Sequence, residues 1–213
     1  MSRATLAKRT ARAGAGRPRA DEAERKKAAL LDAALMEFAA CGFNAASLRV
    51  IAGKAEVSTR TLLNHYPTKA ALFAACIDHV SQRFTNIVTI RRPTLEDTLV
   101  DYAMAMHDNL SSEDSRQIAM LIYRESSVFP EVRQIARLQF ETYQVAPVVQ
   151  ILKDFGYGAA DLRETAIQFV AMAFGRWQRH LLFGDTVITA ETTRAHLQLV
   201  TRVFLCGIGR PAE

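Results

Sequence analysis

Hydrogen-bonding side chains are concentrated in one stretch, Ser47 to Leu72, and their types suit the edges and phosphates of nucleic acids. Arg60 can form two hydrogen bonds to guanine, and Asn64, one helical turn later, can form two to adenine. Hydroxyl, imidazole and ammonium groups close by are typical phosphate ligands. We expect this set to bind DNA: Ser47, Arg49, Ser58, Thr59, Arg60, Thr61, Asn64, His65 and Lys69. That Arg60 and Asn64 contact only phosphate or solvent remains an open alternative.

Two short helices must position these side chains. Apolar residues at helical spacing predict one helix over Leu48–Lys54 and another over Thr59–His65, each preceded by a serine that can cap its free N–H groups. This arrangement predicts a helix-turn-helix, in which the first helix braces the second, and the second enters the DNA major groove. Glu56 lies in the intervening turn and would be strained if its backbone were left-handed.

The charge distribution agrees with a polyanion-binding N-terminal part. The net charge is +5, and residues 1–80 hold thirteen Lys and Arg against seven Asp and Glu, whereas the remainder holds fourteen against fifteen. Residues 1–20 are predicted to be a disordered basic arm, in which Arg17 and Arg19 could lie along phosphates or in a minor groove once DNA is present. The arm has no apolar segment typical of a secretory signal, although its composition also resembles a transit peptide.

Several functional classes find no support in the sequence. Cys41, Cys76 and Cys206 have no paired spacing, so neither a zinc site nor a disulfide framework is indicated, and a reducing cytoplasm is the expected location. The best apolar run, Phe169 to Phe183, contains three basic residues, and no membrane association is expected. There is no metal-ligand spacing, phosphate loop or nucleophile–base motif. We therefore expect no catalytic residue, no metal and no cofactor.

The rest of the chain alternates helical patterns with short breaks and shows no alternating strand pattern. The predicted fold is all-α, with a helix-turn-helix domain over residues 21–67, a connecting helix over 68–90 and a helical ligand-binding and dimerisation domain over 91–213. Thr94 is expected to cap one helix, and Pro130 to begin another that runs to about Phe155. Pro147 lies inside that helix and should kink it.

The N-terminal residues resemble those of a known family. Leu31-Asp32-Ala33-Ala34-Leu35, Gly42-Phe43, Ile51-Ala52, Val57-Ser58, Thr61-Leu62 and His65-Tyr66-Pro67-Thr68-Lys69 are similar to the DNA-binding domain of the tetracycline-repressor (TetR) family of bacterial transcription regulators. The resemblance implies about nine helices, a homodimer and operator DNA as partner. It also implies a repressor that a small-molecule effector releases from DNA. Glu56 and Leu63 depart from the family pattern, so operator contacts could differ.

Two further sets of residues are expected in the C-terminal part. Aromatic residues and methionines within its helices could together line an apolar effector pocket, although an ordinary core position is the simpler interpretation of any one of them: Tyr102, Met106, Met120, Tyr123, Phe140, Tyr143, Phe169, Met172 and Trp177. The family forms its dimer with the last two helices. Their closely packing residues are therefore the expected dimer interface: Ala166, Val170, Ala173, Leu197, Val200 and Phe204.

The resulting hypothesis is a homodimeric regulator that is not an enzyme and is most simply a repressor responding to a small, largely apolar or aromatic effector. Two alternatives remain at this point. The chain could be a helical small-molecule-binding protein or enzyme that keeps the helix-turn-helix only as scaffold, or a regulator that responds to no ligand. The concentration of basic residues in the N-terminal third argues against the first alternative.

Overall fold

The computed structural model describes residues 17–81, 90–158, 161–184 and 189–208. Within these ranges the chain forms α-helices and one π-helical turn and no strand, which confirms the predicted all-α class. The helices are α1 Arg17–Ala45, α2 Leu48–Lys54, α3 Thr59–His65, α4 Lys69–Ser81, α5 Leu95–Leu110, α6 Glu113–Glu125, α7 Pro130–Phe140, α8 Ala146–Asp154, α9 Leu162–Phe183 and α10 Ala190–Ile208.

Helix α1 begins earlier than expected and changes direction near its end. It starts at Arg17, inside the segment predicted to be a disordered arm, because Pro18 lies in the first turn, where a missing N–H costs nothing. Residues 1–16 of the arm lie outside the described residues. Near the other end, Gly42 has φ 81° and ψ 168°, a conformation that favours glycine, and a further helical turn follows it.

The first hydrophobic core joins α1–α4 to α6 and α7. Phe38 and Phe73 meet edge to face with ring centroids 5.2 Å apart, and Phe43 packs against both. Buried Ile118 and Leu121 from α6 and Val132 from α7 belong to the same core. The core therefore extends past the boundary predicted at residue 91.

The second core lies among α5, α8, α9 and α10. Its largest fully buried side chains are Tyr102, Phe169 and Met106, and Phe169 packs on Phe204 with ring centroids 5.1 Å apart. Burial raises the pKa of the Tyr102 phenol, so this side chain stays neutral. Three residues that were expected in a ligand pocket are thus part of a packed core.

A π-helical turn lies just before Pro147, where the sequence predicted a kink. The turn spans Glu141–Val145 between α7 and α8, and the flanking residues keep helical backbone angles. Because Pro147 has no N–H, the carbonyl four residues earlier, that of Tyr143, loses its usual helical donor. The buried Tyr102 hydroxyl donates to the carbonyls of Tyr143 and Gln144, at 3.3 and 3.1 Å. This tyrosine stabilises the interruption by donating at the point where Pro147 has removed a helical donor.

Connecting helix α4 was predicted to reach about Ile90. The structure describes it from Lys69 to Ser81, and residues 82–89 lie outside the described part. One segment of α1, Glu22–Ala45, has the length and composition of a membrane span, but 50% of its most apolar window is buried against the other helices. Its role in the first core accounts for its apolar character.

Candidate nucleic-acid interface and ligand cavity

Local hydrogen bonds fix the N-terminal ends of α2 and α3, as the sequence predicts. The Ser47 hydroxyl accepts a hydrogen bond from the Val50 amide at 3.4 Å, at the start of α2. The Ser58 hydroxyl accepts one from the Thr61 amide at 3.0 Å, at the start of α3. These serines therefore act as N-caps, which leaves their predicted contact with DNA as a second, untested role.

Helix α3 presents its two most informative side chains to solvent. Leu62 is fully buried beneath α3. Arg60 and Asn64 are exposed, and at 100° per residue they lie on the side opposite Leu62. Thr61 and His65 are exposed as well, while Thr59 is half-buried. The exposed side of α3 thus carries donor and acceptor groups that can bind base edges in a major groove.

The turn between α2 and α3 contains a strained residue. Glu56 has φ 55°, in the left-handed region, where a residue with a Cβ costs roughly 1–2 kcal/mol relative to right-handed backbone. Its amide donates to the Gly53 carbonyl at 3.2 Å, and the next amide, that of Val57, donates to the Ala52 carbonyl at 3.0 Å. These bonds hold the tight turn, so Glu56 takes the strained conformation that the sequence left open.

An acid on α1 holds both ends of the brace helix α2. Glu37 is only 6% exposed. Its carboxylate accepts hydrogen bonds from Lys54 Nζ at 2.9 Å and from the Ser47 amide at 3.4 Å. The hydrogen bond from Lys54 lowers the pKa of this carboxyl, although burial opposes that effect. Glu37 therefore fixes α2 on α1 by contacts at its first and last turns.

Lys69, at the start of α4, already has partners within the chain. Its Nζ donates to the Asn44 carbonyl at 2.6 Å and lies 5.9 Å from the centroid of the Phe43 ring. It is half-buried, unlike the exposed Arg49 and Arg60. A structural role of Lys69 is thus visible, and its phosphate contact remains a prediction.

A cavity of about 460 Å³ lies between α4 and the C-terminal helices. Its walls come from α4, α5, α6, α7, the π turn and α9, and they are mainly apolar. Volume and lining match the size and character of sites for small organic molecules. Trp177, the single tryptophan of the chain, is in the wall.

Four of the nine predicted pocket residues line this cavity: Tyr123, Phe140, Tyr143 and Trp177. Tyr102, Met106 and Phe169 are in the second core instead, because their helix faces point toward α8 and α10 rather than toward α4. Met172 also packs against that core, and Met120 is 46% exposed on the outer side of α6. These five do not line the cavity, which corrects their expected placement.

The expected dimer-interface residues also have a different position. Ala166, Val170 and Ala173 on α9, and Leu197, Val200 and Phe204 on α10, are buried within their own chain. Their small and apolar side chains pack these helices onto the second core. They cannot form a surface between two copies, so their assignment to the interface is wrong. Other apolar residues of the same two helices are exposed: Leu182, Phe183, Leu199 and Val203.

Two residues that the sequence analysis did not select carry much of this geometry. Glu37 holds α2, and Gln139 lines the cavity while its amide donates to Asp78 at 2.7 Å. Both are polar residues within the apolar stripe of an amphipathic helix. A polar residue in an apolar stripe indicates a buried polar partner. This feature of the sequence could have identified both residues.

Comparisons with known proteins agree with this geometry. Residues 30–76 match the family described as "Bacterial regulatory proteins, tetR family". The chain is 26% identical, over 84% of its length and 95% of the relative, to the HTH-type transcriptional regulator YvkB of Bacillus subtilis (strain 168).

Solved structures with the same fold include two at similar identity. A flavonoid-responsive regulator, FrrA, is 25% identical with a TM-score of 0.71, over 86% of this chain and 97% of that one. A TetR family transcriptional regulator from Pseudomonas syringae pv. tomato is 27% identical with a TM-score of 0.64, over 85% and 95% of the two chains.

The contacts of Glu37 predict a pH-dependent contribution to stability. Glu37→Gln keeps the shape and an acceptor but removes the charge, and we expect the thermal midpoint at pH 7 to fall by roughly 3–5 °C. Because the folded pKa of Glu37 is lowered below its usual 4.5, its stabilisation is present above that value and is lost as pH falls through the folded pKa. Melting curves should therefore converge for wild type and variant in acid.

The matched control for this experiment is Glu22→Gln, which removes the acid of an exposed ion pair with Lys26. Exposed pairs of this kind contribute little, so the control should melt like wild type throughout. Equal midpoints of the Glu37 variant and wild type at pH 7 would contradict the assigned role of Glu37.

Proposed function

We propose that this chain, whose residues 30–76 match the TetR family of bacterial transcription regulators, is a homodimeric repressor of that family, whose members are DNA-binding proteins and not enzymes. A small, largely apolar or aromatic effector releases it from operator DNA. The proposal rests most directly on one observation: the cavity wall includes Ile77, Val80 and Ser81 of α4, the helix that follows the recognition helix α3.

The proposed DNA face is the exposed side of α3 together with the start of α2. Arg60 and Asn64 read base edges, while Arg49, Thr61 and His65 contact phosphates and fix the register. Support comes from the exposure of these side chains above a fully buried Leu62. Leu63, 38% exposed beside them, provides an apolar contact that suits a thymine methyl group.

Effector control requires that the cavity and the DNA face share a structural element. On α4, Leu72, Phe73 and Cys76 belong to the first core, and Ile77 and Val80 belong to both that core and the cavity wall. A ligand that displaces the far part of α4 therefore also displaces the helices packed on its near part. Release needs only that the effector binds one arrangement of α4 more tightly than the other.

Dimerisation is proposed through the exposed apolar residues of α9 and α10. Leu199 and Val203 lie one turn apart on α10 and are each 56% exposed, while Leu182 and Phe183 at the end of α9 are 46% and 71% exposed. Apolar residues grouped on two neighbouring helices favour burial against a second copy. A dimer places two recognition helices in successive major grooves, roughly 34–36 Å apart.

The effector class follows from the cavity and from one relative. The walls are apolar and aromatic, and FrrA is by its name responsive to flavonoids, which are planar aromatic compounds. We extend that chemistry to this chain as a proposal. The proposed location is the cytoplasm, where the three cysteines, which are free in the structure, would stay reduced.

The DNA face can be tested with an operator obtained by selection from random duplexes. We expect Arg60→Ala to weaken specific binding by about 1–3 kcal/mol and to relax the base preference at one position. Arg49→Ala should weaken binding to all sequences and reduce the slope of log affinity against log salt by about one. Electrophoretic mobility or fluorescence anisotropy titrations at several salt concentrations give both quantities.

Arg116→Ala serves as the control, because Arg116 is an exposed arginine on α6 that pairs with Glu113 and lies outside the proposed face. It should bind as wild type does. If Arg60→Ala and Arg49→Ala also bind as wild type at all salt concentrations, the DNA face has been assigned to the wrong residues.

The dimer interface can be tested with charged substitutions. Leu199→Glu together with Val203→Glu places like charges opposite each other in the proposed interface, so we expect sedimentation velocity to detect monomers at micromolar concentration. Operator affinity should fall with the dimer population. Leu138→Glu, at a 63% exposed leucine on α7, is the matched control and should remain dimeric. An unchanged dimer in the double variant would refute this interface.

A further inference from the structure

An unpaired acceptor lies in the wall of the cavity. In the described part of the chain, three buried side-chain atoms have no hydrogen-bond partner: Gln139 Oε1, His196 Nε2 and Thr201 Oγ1. Of these three residues, only Gln139 lines the cavity. A buried acceptor without a donor is unfavourable, and such atoms are found where a ligand supplies the missing partner.

The orientation of the Gln139 amide is fixed by its neighbour on α4. Its Nε2 group donates to Asp78 Oδ1 at 2.7 Å. The reverse orientation would place the amide oxygen against the carboxylate, which accepts only, so it is disfavoured. Burial, followed by the charge of the same carboxylate, raises the pKa of the Tyr143 phenol. Asp78 therefore fixes the amide of Gln139 with its oxygen as the unpaired atom.

The remaining wall limits what kind of donor can enter. No Asp or Glu is among the described residues that line the cavity, and the Asp78 carboxylate, which is outside the lining, already accepts from Gln139, so the cavity surface presents no free counter-charge to an ammonium group. Phe140, Phe174 and Trp177 supply aromatic surface. Arg137, the charged residue of the lining, is exposed, and its charge is screened by solvent. An uncharged aromatic molecule with a hydroxyl group fits these conditions.

We propose that the effector is a hydroxylated aromatic compound that donates a hydrogen bond from its hydroxyl group to Gln139 Oε1. This inference rests on the proposed function, since it assigns the chemistry of the same effector cavity. The hydrogen bond selects hydroxylated ligands over their methyl ethers, which have the same rings but no donor. Asp78, on α4, is the positioning residue, because its carboxylate holds the Gln139 amide that accepts the hydrogen bond from the ligand.

The test measures affinity through Trp177, whose fluorescence reports on the cavity because the chain has no other tryptophan. The probes are a hydroxyflavone and its O-methyl ether, with calorimetry as a second measurement of affinity. We expect the hydroxyl probe to bind wild type roughly five- to ten-fold more tightly than the ether. In Gln139→Met, which keeps side-chain length but removes the acceptor, this ratio should fall to about one.

Two other variants distinguish loss of the hydrogen bond to the ligand from a change in packing of the cavity wall. Gln178→Met changes an exposed amide that also lines the cavity, where solvent can satisfy it, so both probes should weaken equally and the ratio should persist. Asp78→Asn offers Gln139 both a donor and an acceptor, so the amide is free to turn and the ratio should fall while the cavity wall is unchanged. Melting curves of each variant verify that it is folded.

The outcomes distinguish this inference from the function on which it rests. Equal affinity of wild type for both probes, or an unchanged ratio in Gln139→Met, would overturn the role of Gln139 and leave the aromatic-effector cavity intact. Binding of neither probe would overturn both the aromatic-effector cavity and the donor proposal.

Discussion

The structure depends on close packing around Phe43, at the point where α1 changes direction. Gly42 permits that change through its positive φ, and a Cβ at this position would lie 2.8 Å from the Glu125 carboxylate at the end of α6. Phe43 then contacts Phe38 and Phe73 in the first core and Phe129, at 5.6 Å, in the link between α6 and α7. The helix-turn-helix and the helices that line the cavity are thereby held against each other at one junction.

This junction makes α4 a mechanical connection. Its first residue, Lys69, donates a hydrogen bond to the carbonyl of Asn44, next to Phe43. Further along the helix, Phe73 packs in the aromatic cluster and Val80 lines the cavity. Since packed cores shift between discrete arrangements more easily than they deform, a ligand that moves Val80 should move Phe73 and the helices around it. The Gln139–Asp78 hydrogen bond gives the cavity a second, polar contact with the same helix.

The features that the sequence predicted well are those determined by nearby residues. Ser47, Ser58 and Thr94 cap helices at their predicted positions, and Pro130 begins α7, because a cap or a proline acts within one turn of the chain. The exposure of Arg60 and Asn64 followed from helical spacing around Leu62. Their contacts with DNA stay predictions, as do the effector and the dimer.

The features that were misplaced depend on which of two apolar faces a helix turns inward. Helices α9 and α10 are apolar on more than one side, so the sequence did not show that Val170 and Leu197 pack internally while Leu199 and Val203 remain exposed. Tyr102 and Phe169 were equally compatible with core and cavity. The strain at Glu56 and the partner of Glu37 required the backbone path of the turn and the position of α2 on α1.

In the proposed mechanism, occupancy of the cavity changes the spacing of the two recognition helices. Spin labels at Gly53→Cys, an exposed position on α2 with open space around its Cβ, can report that spacing in a variant whose exposed Cys41 and Cys206 are replaced by serine. We predict that hydroxyflavone, added until Trp177 quenching saturates, shifts the inter-label distance by several ångströms, of the order of one helical turn or less. An unchanged distance distribution at saturation would show that occupancy of the cavity does not change the spacing of the recognition helices.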